Sequence, residues 1–119
     1  MVYIIFIAII IFFSWRFMPV KGVRAITTRQ LKEELQNLDK LFIDVRTPNE
    51  FKTRRIEGFV NMPIGSDFST LPKDKEIIII CQSGMRSLKV AKQLKKLGYT
   101  NVTNVRGGMS AYRGNCSSR

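Results

Sequence analysis

The most informative part of the chain reads Ile77-Ile-Ile-Ile-Cys81-Gln-Ser-Gly-Met-Arg86-Ser87. Four consecutive β-branched residues, apolar on both faces, predict a strand in the centre of a parallel sheet that is covered on both sides. A loop containing one glycine follows, and a helix is predicted from about Arg86 to Leu97. This order places Cys81 at the carboxyl end of a central strand, where open α/β sheets bind their ligands.

The residues after Cys81 are suited to stabilising an anion. Backbone N–H groups of the loop and the N-terminus of the helix can converge on one point, and Arg86 adds a positive charge. A cysteine at such a point favours its thiolate form, which is the nucleophile. Two alternatives stay open: Cys81 is a small buried hydrophobic residue, and Ser83 and Ser87 either donate hydroxyl bonds to the anion or are loop and capping residues.

The composition excludes several kinds of site. The chain has 119 residues, two cysteines and no histidine, so a His-dependent triad, a His metal site and an imidazole base are all excluded. Cys81 and Cys116 lie far apart and match no zinc spacing. We therefore expect one compact domain that needs no disulfide, with neither a metal nor a cofactor.

Short apolar runs alternate with amphipathic segments over the rest of the chain. Leu31, Leu35 and Leu38 are spaced for one face of a helix. Further strands are predicted at 23–26, 41–45, 59–60 and 102–105. This alternation predicts a three-layer α/β/α domain with a mostly parallel central sheet.

The N-terminal segment MVYIIFIAIIIFFSW carries no charged side chain before Arg16. It is apolar on every helical face, and residues 2–18 would form a helix of roughly 26 Å. We expect a transmembrane anchor at 1–18, with a cleaved signal peptide or a buried core helix as alternatives. Lys21, Arg24 and Arg29 follow the apolar run, and this asymmetry predicts a single-pass membrane protein whose domain faces the cytoplasm.

These features predict four parts: an anchor at 1–18, a linker at 19–22, a domain at 23–113 and a flexible tail at 114–119. The chain holds 20 basic and 9 acidic residues, a formal net charge of +11. That charge suits contact with membrane lipid beside residues 1–18 and attraction of a small anion. No nucleic-acid motif accompanies the charge, so we expect no nucleic-acid partner.

Three ordered motifs resemble those of the rhodanese-like domain family. They are Ile43-Asp-Val-Arg46-Thr-Pro-Asn-Glu50-Phe51 with Ile56-Glu-Gly58 and Asn61-Met-Pro63, the strand-Cys81-loop-Arg86 element, and Gly107-Gly-Met109 with Tyr112. The resemblance covers roughly 27–113. In the region 54–56 the family often has a histidine, and here an arginine stands.

The resemblance implies a rhodanese-like fold and a sulfurtransferase. Cys81 would take a sulfane sulfur from a small anionic donor such as thiosulfate, hold it as a persulfide and pass it to a thiol or protein acceptor. The residues implied to form the cradle that binds the substrate are Gln82, Ser83, Gly84, Met85 and Arg86. Asp44 and Arg46 look like structural partners near the site.

Loop length separates this chemistry from that of related enzymes. By the same resemblance, sulfurtransferases of this fold have six residues from cysteine to arginine, as Cys81 to Arg86 do, whereas related phosphatases and arsenate reductases have seven. Two other hypotheses remain. The domain is a non-catalytic or regulatory binding module, or it is a thiol redox sensor in which Cys116 resolves an oxidised Cys81.

Overall fold

The computed structural model describes residues 1–16 and 22–117, with side chains described for 1–14 and 22–117. In these residues, helices α1 to α5 span Val2–Arg16, Thr28–Glu34, Pro48–Thr53, Met85–Lys96 and Gly108–Ala111. Strands β1 to β5 span Val23–Ile26, Leu41–Asp44, Val60–Asn61, Ile77–Ile80 and Val102–Val105. A 3-10 helix at Phe68–Thr70 lies between β3 and β4.

The five strands form one parallel sheet in the order β1-β5-β4-β2-β3. The isoleucines of β4 are 0% exposed, as expected for a strand with neighbours on both edges and helices on both faces. The predicted α/β domain with a parallel central sheet is confirmed.

Alternate residues of β4 pack in opposite layers. Ile77, Ile79 and Cys81 belong to a core cluster that contains the inward side of α4, namely Val90, Ala91 and Leu94. Ile78 and Ile80 belong to a second cluster that contains Leu31 of α2 and Met109 of α5. This period of two is the ordinary geometry of a strand, and it sets Cys81 on the α4 side of the sheet.

Helix α2 is shorter than the leucine spacing predicted. It begins at a capping box, in which Thr27 accepts the N–H of Gln30 and the Gln30 side chain accepts the N–H of Thr27. Leu31 is fully buried and Leu35 is half-buried. Leu38 is 88% exposed. The helix ends at Glu34, so Leu38 lies outside it and does not share the helix face that packs against the core.

The predicted transmembrane anchor is not found. Helix α1 has 15 residues, about 22 Å of helix against a hydrocarbon core of about 30 Å. Among residues 1–16 and 22–117, no helix is long and apolar enough to cross a membrane. The predicted single-pass location facing the cytoplasm is therefore wrong, and the expected lipid contact of residues 1–18 loses its support. Residues 17–21, which include most of the predicted linker, lie outside the described part.

The described part of the tail is joined to the domain. The backbone N–H of Arg55 donates to the carbonyl of Ser117 at 2.9 Å, and the N–H of Ser117 donates back at 2.7 Å. The Ser117 hydroxyl also donates to Glu57. The predicted flexible tail begins at residue 114, and its described residues reach the segment after α3 through these bonds at Ser117.

Candidate active site at the end of strand β4

Cys81 follows β4 directly, and its thiol is free and 0% exposed. The Gly84 backbone N–H points at Sγ with an N···S distance of 2.9 Å. The Ser87 hydroxyl oxygen lies 3.3 Å from Sγ. The sulfur therefore lies beside the turn that leads into α4, next to one backbone N–H and one hydroxyl group.

Gly84 makes this turn possible. It is the N-cap of α4 with φ of 96°, in the left-handed region that glycine adopts without strain. This conformation directs its N–H to the sulfur and starts a helix of 12 residues beside it. The positive end of the α4 dipole adds to the field at Sγ.

Ser87 connects the sulfur to a buried amide on β5. Its hydroxyl is 2.5 Å from the Asn104 side-chain oxygen, and Ser87 and Asn104 are 0% and 4% exposed. An amide oxygen can only accept, so the Ser87 O–H donates to Asn104 while the Cys81 thiol donates to Ser87. When Cys81 ionises, the Ser87 hydroxyl can rotate its hydrogen to Sγ, which stabilises the thiolate.

We expect Ser87→Ala to lower the free energy of unfolding by about 1–3 kcal/mol, because the buried Asn104 side-chain oxygen would lose its hydrogen-bond donor. Urea unfolding measures this loss. Ser66→Ala, at a serine that is only half-buried, is the control and should change the free energy of unfolding by less than about 0.5 kcal/mol. An unchanged stability in Ser87→Ala would show that the hydroxyl does not stabilise the structure around the sulfur.

Arg86 binds Glu50 of α3 through two parallel hydrogen bonds of 2.7 and 2.9 Å. The capping box at Thr47 orients Glu50, because the Thr47 N–H donates to its carboxylate at 3.0 Å. Hydrogen bonds from Arg86, and then from Thr47, lower the Glu50 pKa to about 2. The carboxylate in turn raises the pKa of Arg86. The pair joins the first turn of α4 to α3.

A carboxyl whose pKa is lowered on folding contributes stability above its unfolded pKa and loses it as pH falls through the folded value. We expect Glu50→Gln to lower the free energy of unfolding by about 1 kcal/mol at pH 7, a small figure because both side chains are about one-third exposed. The difference from wild type should shrink from about pH 4.5 towards pH 2. Urea unfolding at several pH values measures it, and a difference independent of pH would contradict the assignment.

Asp44 and Arg46 connect the end of β2 to the loop after Cys81. Both are buried, and the Arg46 guanidinium donates to the Asp44 carboxylate with a closest distance of 2.8 Å. It also donates to the Arg54 carbonyl at 2.5 Å and reaches the Gln82 side-chain oxygen at 3.5 Å. The buried charge is thus paired, and the pair holds neighbouring loops in place.

The first turn of α5 holds the other side of this loop. The Met109 N–H donates to the Cys81 carbonyl and the Ser110 N–H to the Gln82 carbonyl, each at 2.9 Å. Gly108 permits this approach, since a Cβ there would lie 2.2 Å from the Cys81 carbonyl oxygen. The Gln82 amide also donates to the Ser110 hydroxyl at 3.1 Å. Helix α5 therefore positions the backbone of Cys81 and Gln82.

Arg54 stands in the region where the family often has a histidine, and it anchors α5. Its guanidinium donates to the carbonyls of Met109 and Tyr112, each at 3.1 Å. These are carbonyls near the C-terminus of α5, where helices leave acceptors without intrahelical partners. The arginine thus binds α5 to the end of α3.

The predicted cradle residues lie around Cys81 with different contacts. Gly84 donates to the sulfur, Gln82 contacts Arg46 and Ser110, and Arg86 binds Glu50. Ser83 is exposed and Met85 is half-buried at the start of α4. Sequence reasoning missed Asn104 and Ser110, and it noted the arginine at 54–56 without identifying its partners. It gave Gly107-Gly108 as part of a family motif, although the glycine pair was also a signal of close backbone approach.

Cys116 lies in the opposite layer from Cys81. It is half-buried, packs against the cluster of α2 and α5, and is a free thiol. Cys81 packs in the cluster on the α4 side. A surface cavity of about 660 Å³ is lined by Cys116 and its neighbours and does not include Cys81. A disulfide between the two cysteines would require the tail to leave this position, so the arrangement does not favour the redox-sensor hypothesis.

Comparisons with known proteins agree with this fold. The family model of the rhodanese-like domain matches residues 27–115. YtwF of Bacillus subtilis is 41% identical over 96 residues, covering 77% of this chain and 92% of YtwF. A sulfurtransferase of Allochromatium vinosum is 35% identical over 94 residues, covering 76% of this chain and 88% of that protein. Both relatives carry the word sulfurtransferase in their names.

A solved structure shows the same architecture. The crystal structure of a rhodanese-like domain protein from Staphylococcus aureus has a TM-score of 0.71 and 30% sequence identity, and the match covers 82% of this chain and 99% of that one. The family model covers the domain from Thr27, which caps α2, to the segment after α5, and so includes four of the five strands and Cys81. On this sequence match and this fold, the chain belongs to the rhodanese-like domain family.

Proposed function

We propose that this protein is a rhodanese-type sulfurtransferase that carries sulfur as a persulfide on Cys81, within a domain at 23–113. One observation carries the proposal: Sγ lies 2.9 Å from the Gly84 nitrogen and 3.3 Å from the Ser87 hydroxyl oxygen. Both groups can donate to a thiolate at the N-terminus of α4 without a histidine base. The family-level match to sulfurtransferases supports the same chemistry.

The reaction has two displacement steps. The Cys81 thiolate attacks the outer sulfur of thiosulfate, a sulfur–sulfur bond forms to Sγ, and the sulfur–sulfur bond of thiosulfate breaks to release sulfite. An acceptor thiolate then attacks the terminal sulfur of the persulfide, and Cys81 leaves as the thiolate. Charge balances in both steps. The polar hydrogens of Gly84 and Ser87 stabilise the anionic sulfur before and after each transfer.

The remaining residues have supporting roles in this proposal. The backbone of Gln82 to Arg86 forms the cradle for the transferred sulfur. Arg86 uses two of its five N–H groups on Glu50, which leaves donors for an anionic substrate. Asp44 and Arg46 position the loop through Gln82. The Gly84 N–H already contacts the sulfur itself, which supports a cradle too tight for a tetrahedral phosphate.

Intact-mass analysis of the full chain tests the proposal. After incubation with thiosulfate, the protein should gain the mass of one sulfur atom, which cyanide or a small thiol removes. The Cys81→Ser variant should gain nothing. An unchanged mass would contradict the assignment and would favour the hypothesis of a non-catalytic binding module. Hydrolysis of an aryl phosphate that depends on Cys81 would also contradict it.

A further inference from the structure

The outward face of α4 is a row of lysines. Helix α4 buries Ser87, Val90, Ala91 and Leu94 against the sheet. At 3.6 residues per turn, the opposite side carries Lys89, Lys92 and Lys96, which are all exposed. We call these three residues the basic ridge. It begins about one turn after Gly84, whose N–H contacts the Cys81 sulfur.

The ridge is not balanced by acidic side chains. Helix α4 reads MRSLKVAKQLKK and holds no aspartate or glutamate. Of its basic residues, Arg86 binds Glu50, whereas in the described part of the chain no carboxylate forms an ion pair with the ridge. Solvated helices commonly pair opposite charges three or four residues apart. Unpaired lysines at this spacing repel one another, and carboxylates of a partner would relieve that repulsion.

Neighbouring segments extend the positive surface at the far end of the helix. Lys95 of α4 lies beside Gly22, and the Lys73 ammonium lies 5.5 Å from the centre of the Tyr99 ring. Lys75, in the same loop as Lys73, is also exposed, and Asp74 separates these two lysines in the sequence. The cationic surface therefore runs from Lys89 to the C-terminal end of α4, where Lys73 lies beside Gly98.

The length of the ridge indicates the size of its partner. Lys89 and Lys96 are separated by about 10 Å along the helix axis, from a rise of about 1.5 Å per residue. Thiosulfate is too small to contact both ends. The sequence of α4 contains no aromatic side chain on which a nucleic-acid base could stack. An acidic protein surface fits both the spacing and the chemistry.

We infer that the basic ridge docks an acidic face of a protein that receives sulfur from Cys81. The inference rests on the proposed function. Docking along α4 would bring an acceptor thiol to the N-terminal end of the helix, where it attacks the persulfide. Rim charges of this kind raise the association rate and lose their effect at high salt.

Two synthetic peptide thiols test the inference with the full chain. One carries a single cysteine followed by a run of glutamates, and the other has glutamine at the same positions. At low salt, wild type should transfer sulfur to the acidic peptide with a kcat/KM about tenfold higher than to the neutral one. Lys89→Glu/Lys92→Glu should remove this preference, and it should also vanish in wild type at high salt.

A matched variant separates docking from net charge. Arg29→Glu/Lys32→Glu on α2 changes the net charge by the same amount on the opposite layer, and it should keep the preference. Both variants should transfer sulfur to dithiothreitol as wild type does. Equal loss of the preference in both variants would overturn the inference, as would no loss in Lys89→Glu/Lys92→Glu.

Direct binding keeps the test independent of activity. A fluorescent acidic peptide with serine in place of cysteine should bind wild type at least about fivefold more tightly than Lys89→Glu/Lys92→Glu. If no sulfur is transferred to any acceptor, the proposed function fails while this measurement still tests the ridge. Tighter competition by an RNA oligonucleotide than by the acidic peptide would assign the ridge to nucleic acid and overturn the inference.

Discussion

Replacing Cys81 with serine should lower kcat/KM for sulfur transfer from thiosulfate at least about a thousandfold, because an alcohol at this position stays protonated and is a poor carrier. Serine has almost the same shape, and its hydroxyl can accept the Gly84 N–H. The core around β4 therefore stays packed. Sulfite release in the presence of a thiol acceptor measures the activity.

Cys116→Ser is the matched control for this change. Cys116 lies in the layer of α2 and α5, so its loss should leave sulfur transfer within about twofold of wild type. Urea unfolding should show that both variants are folded. Transfer near the wild-type rate in Cys81→Ser would remove Cys81 from the mechanism, and loss of transfer in Cys116→Ser would point instead to a two-cysteine mechanism.

Replacing Gly108 with alanine should lower the free energy of unfolding by roughly 2–4 kcal/mol. Gly108 has φ of +56°, and a Cβ there would lie 2.2 Å from the Cys81 carbonyl oxygen. That oxygen belongs to backbone, which cannot move aside as a flexible side chain can. The first turn of α5 would have to shift, and its hydrogen bonds from Met109 and Ser110 to the loop would lengthen. Sulfur transfer should fall as well, because these bonds position the cradle.

Gly58→Ala separates backbone strain from the clash. Gly58 also has a positive φ, +97°, but a Cβ at this position meets nothing within 4 Å. We expect a loss of only about 1–2 kcal/mol there, from the left-handed conformation alone, and normal transfer. Urea unfolding and the transfer assay on both variants make the comparison. Equal effects on stability and activity would show that contact between Gly108 and the Cys81 carbonyl is unimportant.

Local sequence predicted much of the fold because each signal depends on near neighbours. The isoleucine run of β4 is apolar on both faces, and such a strand is stable only in the middle of a covered sheet. The loop after Cys81 needs a left-handed residue before a helix can start, and Gly84 provides it. A strand, a cysteine and a helix start in this order were enough to predict the position of Cys81 between β4 and α4. The apolar N-terminal run led to the wrong prediction of a transmembrane anchor for the same reason. Apolar composition indicates a helix, but it does not determine the residue at which the helix ends.

The contacts around the sulfur depended on tertiary structure. Asn104 reaches Ser87 because β5 pairs with β4, and no local pattern identifies an amide on a neighbouring strand as a partner. Glu50 meets Arg86 only because α3 and α4 approach the same edge of the sheet. Gly108 fits against the Cys81 carbonyl only after the whole sheet has formed. Residues far apart in sequence make these contacts only through packing, whereas the strand, the turn and the position of Cys81 are already specified by residues adjacent along the chain.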